Sequence, residues 1–463
     1  MTDAELISRL IAATDPGCVV APDDARGRPI SPQGHQMAAV PILRPASTAQ
    51  VVSCLQLCAQ AGRCLIPLGG GTNYAGSTKP ATGQEWYLSL ERMNRIEEID
   101  AASRTAVVGA GVILETLQRA AREAGLQFAV DLGGRGSATV GGLISTNAGG
   151  ERVLRYGMMR EQVIGIEVVL ADGRIVDLMD RVIKNNAGYD IKQLFIGSEG
   201  TIGVVTRAVL RLRPAPISTQ TALLALPDID RAAELINRIE ARLGGTLSAF
   251  ELLWPEFYQT MCGGEATKHR PPVRLDADGY VLMEAEGGNP QTDAQIFENM
   301  LGELLEDGLI DDAALAQSHA EREAMWLIRN DIPYYVQRAG PGAAFDISVP
   351  ISQMPDYVRE LRASLDTQFP GARATVFGHA ADNNLHIGVS WGDKVQDHYD
   401  QIAECVYAGV VSRNGSISAE HGIGLDKRLS FHRHKQPAAL AVMGELKSLL
   451  DPNGLLNPGK VLA

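Results

Sequence analysis

Pro67-Leu68-Gly69-Gly70-Gly71-Thr72-Asn73-Tyr74-Ala75-Gly76-Ser77 overlaps the end of a short apolar run, Cys64–Leu68. That run reads as a strand, and the glycines then break it. Glycine loses more backbone entropy on folding than any other residue, so a cluster signals positive φ or close approach to the main chain. A second stretch, Gly133–Gly150, holds seven glycines, including Gly141-Gly142 and Gly149-Gly150. A flexible turn would account for either stretch alone. Two of them, each beside a strand and supplied with the donors Thr72, Asn73, Ser77 and Ser137, fit an anion nest for a pyrophosphate better. A nucleotide cofactor is the expectation. The fingerprint G-x-G-x-x-G does not occur, which disfavours a nicotinamide dinucleotide on a Rossmann fold.

Working outward, Thr48–Ala61 reads as an amphipathic helix with Val51, Leu55 and Cys58 on one face and Ser47 or Thr48 as cap. Gly62 stops it. Downstream, a strand pair is expected around the Asp172-Gly173 turn, and a strand near Ala208–Arg213, where Leu210 and Leu212 alternate with Arg211 and Arg213. Pro214 and Pro216 mark a boundary. Residues 216 to 415 mix helical and strand-like segments, and an apolar helix near Ala438–Leu450 precedes a turn-rich tail. The expected class is α+β.

A chain of 463 residues is too long for one ordinary core. Its apolar share, 45%, is that of a water-soluble protein, and no apolar run reaches the roughly 20 residues of a membrane span. The net charge of −13 argues against a nucleic-acid partner. Met1-Thr2-Asp3-Ala4-Glu5 lacks the basic and apolar regions of a secretory signal. Cys18, Cys54, Cys58, Cys64, Cys262 and Cys405 include no C-x-x-C pair, so iron–sulfur and thiolate zinc sites are not expected. A reduced, cytoplasmic protein is the expectation.

The runs Pro67–Ser77, Gly136-Ser137-Ala138-Thr139-Val140-Gly141-Gly142 through Asn147-Ala148-Gly149-Gly150, and Gly197-Ser198-Glu199-Gly200-Thr201-Ile202-Gly203 closely resemble the vanillyl-alcohol-oxidase-type FAD-binding domain. From about Pro41 to Lys460 the chain is similar to the D-2-hydroxyacid dehydrogenase branch of that family, which includes D-2-hydroxyglutarate and D-lactate dehydrogenases. The resemblance implies a two-subdomain FAD-binding domain over 1–215. An α+β substrate domain with an antiparallel sheet would follow over 216–415, and a C-terminal helical segment, 416–463, would return to the FAD site. It also implies FAD held by Pro67, Gly69, Gly70, Gly71, Thr72, Asn73, Gly76, Ser77, Asp131, Gly133, Ser137, Gly141, Gly142, Asn147, Glu199, Gly200, Ile202 and Asn457. Neither glycine-rich run contains the histidine through which some relatives attach flavin, so non-covalent FAD is expected.

Among nine histidines, His35, His269, His319, His398, His432 and His434 need no function. Thr375–Val389 reads as a hairpin turning at Asp382-Asn383. A register symmetric about that turn sets His379 opposite His386, about 5 Å apart at Cβ, which suits two imidazoles on one ion. Two unrelated strand histidines and an acidic surface loop would give the same pattern, and spacing alone does not choose. The resemblance does: in this branch G-H-x(6)-H and the glutamate of E-H-G-I-G hold a zinc-like divalent metal. His379, His386 and Glu420 match as ligands, His421 as the base, and Arg329 in Trp326-Leu327-Ile328-Arg329 as the partner of a substrate carboxylate.

Three positions depart from the branch. Ala344 stands where a lysine is expected, Pro333 where a threonine is, and Gly388 where an asparagine is. A buried carboxylate left without its lysine would cost about 3–5 kcal/mol. The expected substrate is therefore a D-2-hydroxy acid bulkier or less charged than 2-hydroxyglutarate, taking the vacated room, with Tyr334, Tyr335 and Phe345 nearby in sequence. Electrons would leave to an external acceptor, an electron-transfer flavoprotein or a quinone-linked carrier by family analogy. D-2-hydroxyglutarate or D-lactate dehydrogenase proper, an oxygen-using oxidase, and a flavin-binding subunit of a larger complex are the rivals. A metal protein without flavin is a fourth, and colour alone separates it from the rest. A homodimer is among the assemblies left open.

Overall fold

A computed structural model describes residues 1–264 and 267–462. Two compact units are present: residues 1–150, 157–215 and 420–463 form one, and 151–156 with 216–419 form the other.

In the first unit the helix Thr48–Gln60 starts at Ser47, whose side chain accepts from the Gln50 amide. Val51, Cys54, Leu55 and Cys58 are fully buried, with Leu65, Trp86 and Leu88 in the same core. Cys54 and Cys58 thus serve as small hydrophobes. Gly62 ends the helix at φ 63°, beyond which the strand Leu65–Leu68 pairs in parallel with Trp86–Ser89. A second sheet is wholly antiparallel, in the order Ile96–Asp100, Thr105–Gly109, Val204–Arg211, Val163–Val169, Ile175–Leu178. Its last two strands turn at Gly173, φ 89°. Both strand expectations hold here, and Leu210 and Leu212 lie in the core.

The second unit is built on one seven-stranded antiparallel sheet. The order is Asp312–Leu315, Ser218–Leu226, Gly279–Gly287, Leu247–Leu253, Arg373–His379, Asn384–Ser390, Gly342–Ser348. Side chains alternate between its faces. One face packs Phe257, Tyr258, Met325, Ile328 and Tyr335 from three helices, Pro255–Cys262, His319–Asn330 and Ile332–Ala339. The helices Met354–Gln368 and Tyr399–Val411 cover the strands of the other. The histidine hairpin departs from the symmetric expectation. Phe377, not His379, pairs with His386, and the turn is a short 3₁₀ segment, Ala380–Asp382, closed by Asn383 at φ 72°. Asparagine tolerates that left-handed backbone, so the unusual Ala381-Asp382-Asn383 still makes a tight turn. The shift is two residues, and a two-residue shift keeps both histidines on one face.

Candidate active site

In the first unit the two glycine-rich runs touch. A side chain on Gly70 would put its Cβ 1.9 Å from the Ser137 carbonyl oxygen, and one on Gly69 would meet Thr139 Oγ1 at 2.8 Å. Gly134 lies against Thr72, and a Cβ on Gly200 would stand 3.1 Å from Pro67 Cγ. Two independent flexible turns would not need this fit; a common cradle does. Gly141 packs on Ala110, whereas Gly133 faces open space. Asn73 shapes its loop by accepting from the Ala75 and Ser77 amides, and a Cβ on Gly76 would meet the Asp426 carboxylate at 2.7 Å. Asn147 caps the helix Val140–Thr146 in the left-handed region and accepts from the Arg160 amide. Asp131 takes Gln118 Nε2 and Arg135, and Ile202 is a core residue.

Asn457 provides the test of fit for a cofactor. It is 2% exposed, its amide donates to Leu65 O and its Nδ2 to Glu199 O, yet its Oδ1 is buried without a hydrogen-bond partner among the described residues. A buried acceptor left unmade costs about 1–3 kcal/mol, so such an atom calls for a ligand donor. Flavin, rich in ring N–H and ribityl hydroxyls, fits both the orphan and the glycine cradle.

The segment carrying Glu420 and His421 is tied to this cradle. Asn73 Nδ2 donates to His421 O at 2.7 Å, and the Tyr74 and His421 rings lie 5.0 Å apart. Glu420 Oε1 accepts from the Gly150 amide at 2.5 Å. Glu199 sits at φ 53°, which turns its buried carboxylate to the Ile423 and Gly424 amides, at 2.6 and 2.9 Å. Burial pushes that carboxyl up, against those two donors and the charges of Lys427 and Lys460. Its side chain is thus spent on holding the His421 loop.

In the second unit each metal-candidate histidine faces an acid on the neighbouring strand. Glu251 pairs with His379 in the ladder, and Asp346 with His386. His379 Nδ1 lies 2.5 Å from Glu251 Oε1, and His386 Nδ1 lies 3.7 Å from Asp346 Oδ1. The two rings are 5.3 Å apart at 82°. Arg329, 7% exposed, donates from Nε to Glu251 Oε2 at 2.8 Å and from Nη2 to His379 Nε2 at 3.2 Å, while its Cζ lies 5.1 Å from the Phe377 ring centroid. Arginine has no acceptor, so His379 Nε2 carries the lone pair and Nδ1 the proton. A metal ligand needs that neutral tautomer, with its other nitrogen held by a carboxylate. The tautomer is the one a divalent ion would need, and Arg329 Nη2 now occupies the lone pair such an ion would use. Burial alone would raise the Glu251 carboxyl, but the adjoining His379 and Arg329 outweigh it and hold it below the usual carboxylate range.

No motif marked Glu251 or Asp346 as a partner of these histidines. The available signal for Glu251 was one charge inside the otherwise uncharged strand Leu247–Leu253. The pocket expected around Ala344 is corrected in part. Ala344 and Gly388 are paired, and a Cβ on Gly388 would stand 2.5 Å from the Tyr335 hydroxyl. Tyr335 fills the room that an asparagine side chain would take. Phe345 points to the opposite face against Tyr399 and Tyr407, and Tyr334 packs on His269, so neither shares the Ala344 face.

Residues 40–179 match the family described as "FAD binding domain", and residues 215–461 match "FAD linked oxidases, C-terminal domain". The chain belongs to the FAD-linked oxidases. D-2-hydroxyglutarate dehydrogenase, mitochondrial, of Rattus norvegicus is 36% identical over 422 residues, covering 91% of this chain and 78% of that protein. D-2-hydroxyglutarate dehydrogenase of Stutzerimonas stutzeri (strain A1501) is 33% identical over 472 residues, covering all of both. Among solved structures, 4-ethylphenol oxidase from Gulosibacter chungangensis in complex with isoeugenol superposes with a TM-score of 0.75 at 19% identity, over 99% of this chain and 97% of that one. p-Cresol methylhydroxylase with substrate bound gives 0.76 at 14%, over 100% and 97%. These two share the vanillyl-alcohol-oxidase-type fold of this FAD-linked oxidase. It is an FAD-dependent oxidoreductase, and among its described residues no helix is long and apolar enough to cross a membrane.

Proposed function

We propose that this FAD-linked oxidase is a dehydrogenase that oxidises a D-2-hydroxy acid to the 2-oxo acid, with FAD held non-covalently and a divalent metal, zinc by analogy with the branch it resembles, at His379, His386 and Glu420. The observation that carries the reading is the His379–His386 pair, each backed by an acid, beside the buried guanidinium of Arg329. When bound, the metal lowers the pKa of the substrate hydroxyl and the flavin accepts the hydride. Arg329 holds the substrate carboxylate through its Nη atoms, since its Nε is committed to Glu251. His421 takes the hydroxyl proton on an imidazole nitrogen. FAD rests on the glycine cradle of Pro67–Ser77 and Ser137–Gly142, with Gly200 and Asn457 beside it. The electrons would leave to an external acceptor, an electron-transfer flavoprotein or quinone-linked carrier, since the sequence offers no iron–sulfur or nicotinamide motif to receive them. The six free cysteines agree with a reducing compartment, in our reading the cytoplasm.

Within that class we read the substrate side chain as less charged than that of 2-hydroxyglutarate. Ala344 provides a methyl where the resemblance expects a lysine, and Tyr335 provides a hydroxyl over Gly388. Oxidation of 2-hydroxyglutarate itself is the second reading, favoured by the names of the relatives. Anaerobic bleaching of the flavin band (roughly 450 nm) by paired D- and L-2-hydroxy acids tests both. One D-acid should bleach it, its L-enantiomer should not, and removal of the metal by a chelator should abolish the effect. A yellow protein that no hydroxy acid bleaches would remove the proposed reaction. Ala344→Lys should favour 2-hydroxyglutarate over an apolar D-2-hydroxy acid in kcat/KM, since Ala344 is exposed and leaves room for a cation to pair with the second carboxylate. An unchanged ratio would separate position 344 from substrate choice.

A further inference from the structure

Glu251 belongs to none of the motifs, yet it is the only charge in its strand and is fully buried at the centre of the sheet. Its two oxygens serve two different residues. Oε1 takes the His379 ring at Nδ1, directly across the ladder, and Oε2 takes Arg329 Nε from the helix His319–Asn330. A carboxylate that merely neutralised a buried arginine would do so with both oxygens in a two-pronged pair. Here the pairing is split, and each half fixes one orientation: the tautomer and ring angle of His379, and the direction of the guanidinium over Phe377.

We propose that Glu251 is a positioning residue that sets metal binding and carboxylate binding together. By taking Nδ1–H it leaves the His379 lone pair on Nε2, where Arg329 Nη2 now donates and a metal would take its place, and by taking Arg329 Nε it sets the direction from which the Nη atoms would reach the substrate carboxylate. The proposal rests on the reading of His379 as a ligand and Arg329 as the carboxylate partner. It adds that one buried side chain couples the two, so that removing it weakens both without touching the flavin cradle.

The test uses the purified flavoprotein and its Glu251→Gln variant, with zinc affinity measured by competition against a chelating indicator. Flavin content, and the KM and kcat of anaerobic flavin reduction at saturating zinc, are measured alongside. Glutamine keeps the shape but cannot accept from both partners. Expected are full flavin content, zinc affinity lower by about 10–100-fold, and a KM raised more than kcat is lowered. Glu251→Asp, which keeps the charge, should recover part of the zinc affinity. A zinc affinity within twofold of wild type together with an unchanged KM overturns the proposal. Histidine-selective ¹⁵N NMR of the metal-free wild type, with His379 assigned by His379→Gln, reads the tautomer without relying on any folded Glu251 variant. Nδ1–H supports the proposal, and Nε2–H overturns it. Wild-type protein that binds no zinc is a distinguishable outcome: it overturns the ligand reading and the metal half of this proposal, while KM decides the arginine half.

Discussion

Replacing His421 by asparagine is expected to leave the protein yellow and to slow substrate-dependent flavin reduction by about 10²–10⁴-fold, the usual contribution of a positioned general base. The loop around position 421 is held by main-chain contacts: Asn73 Nδ2 on the His421 carbonyl, and Glu199 on the Ile423 and Gly424 amides. These contacts hold the main chain of the loop, which the substitution leaves in place. Asparagine keeps a polar group beside Tyr74, but it has no basic nitrogen to receive the hydroxyl proton. Flavin stays because the glycine cradle is untouched. Anaerobic stopped-flow at the flavin band reads the rate, and flavin content confirms the binding. A variant that reduces FAD at near the wild-type rate would remove His421 from the mechanism.

Gly70→Ala should act on the cofactor instead. The new methyl would lie 1.9 Å from Ser137 O and 2.5 Å from Ser137 C. Both are backbone atoms, so no rotamer change relieves the overlap, and the two glycine-rich runs must separate. Overpacking of a well-packed site costs about 1–3 kcal/mol or more. Here the strain falls on the surface against which the pyrophosphate would lie. The expected protein is colourless or loses its flavin on gel filtration, with a lowered Tm. Gly444→Ala is the control. Gly444 lies inside the helix Pro437–Leu450 with none of the described residues within 4 Å of its added methyl, so alanine should stabilise by about 0.5–1 kcal/mol. Opposite signs for the same chemical change would tie the effect to the cradle. A Gly70→Ala protein with full FAD at the wild-type Tm would show that the runs do not have to meet there.

Much of this was legible in the chain. Ser47, the 3.6-residue apolar spacing and Gly62 delimit one helix, because caps and periodicity act within a few residues. The facing of Phe345 was also legible: it adjoins Ala344 in a strand, and adjacent strand residues point to opposite faces. Placing both in one pocket overlooked that parity.

The sequence by itself determined the local elements, the glycine runs that a flavin cradle demands, and the common face of His379 and His386. That last result survived a two-residue error in register because the strand period is two. Only the tertiary structure decided the register itself, the meeting of Gly70 with Ser137, the filling of the Gly388 space by Tyr335, and the partnership of Glu251 with His379 and Arg329. These contacts join residues from tens to more than a hundred positions apart. Their energy lies in burial and pairing across the sheet, which no short window of sequence encodes.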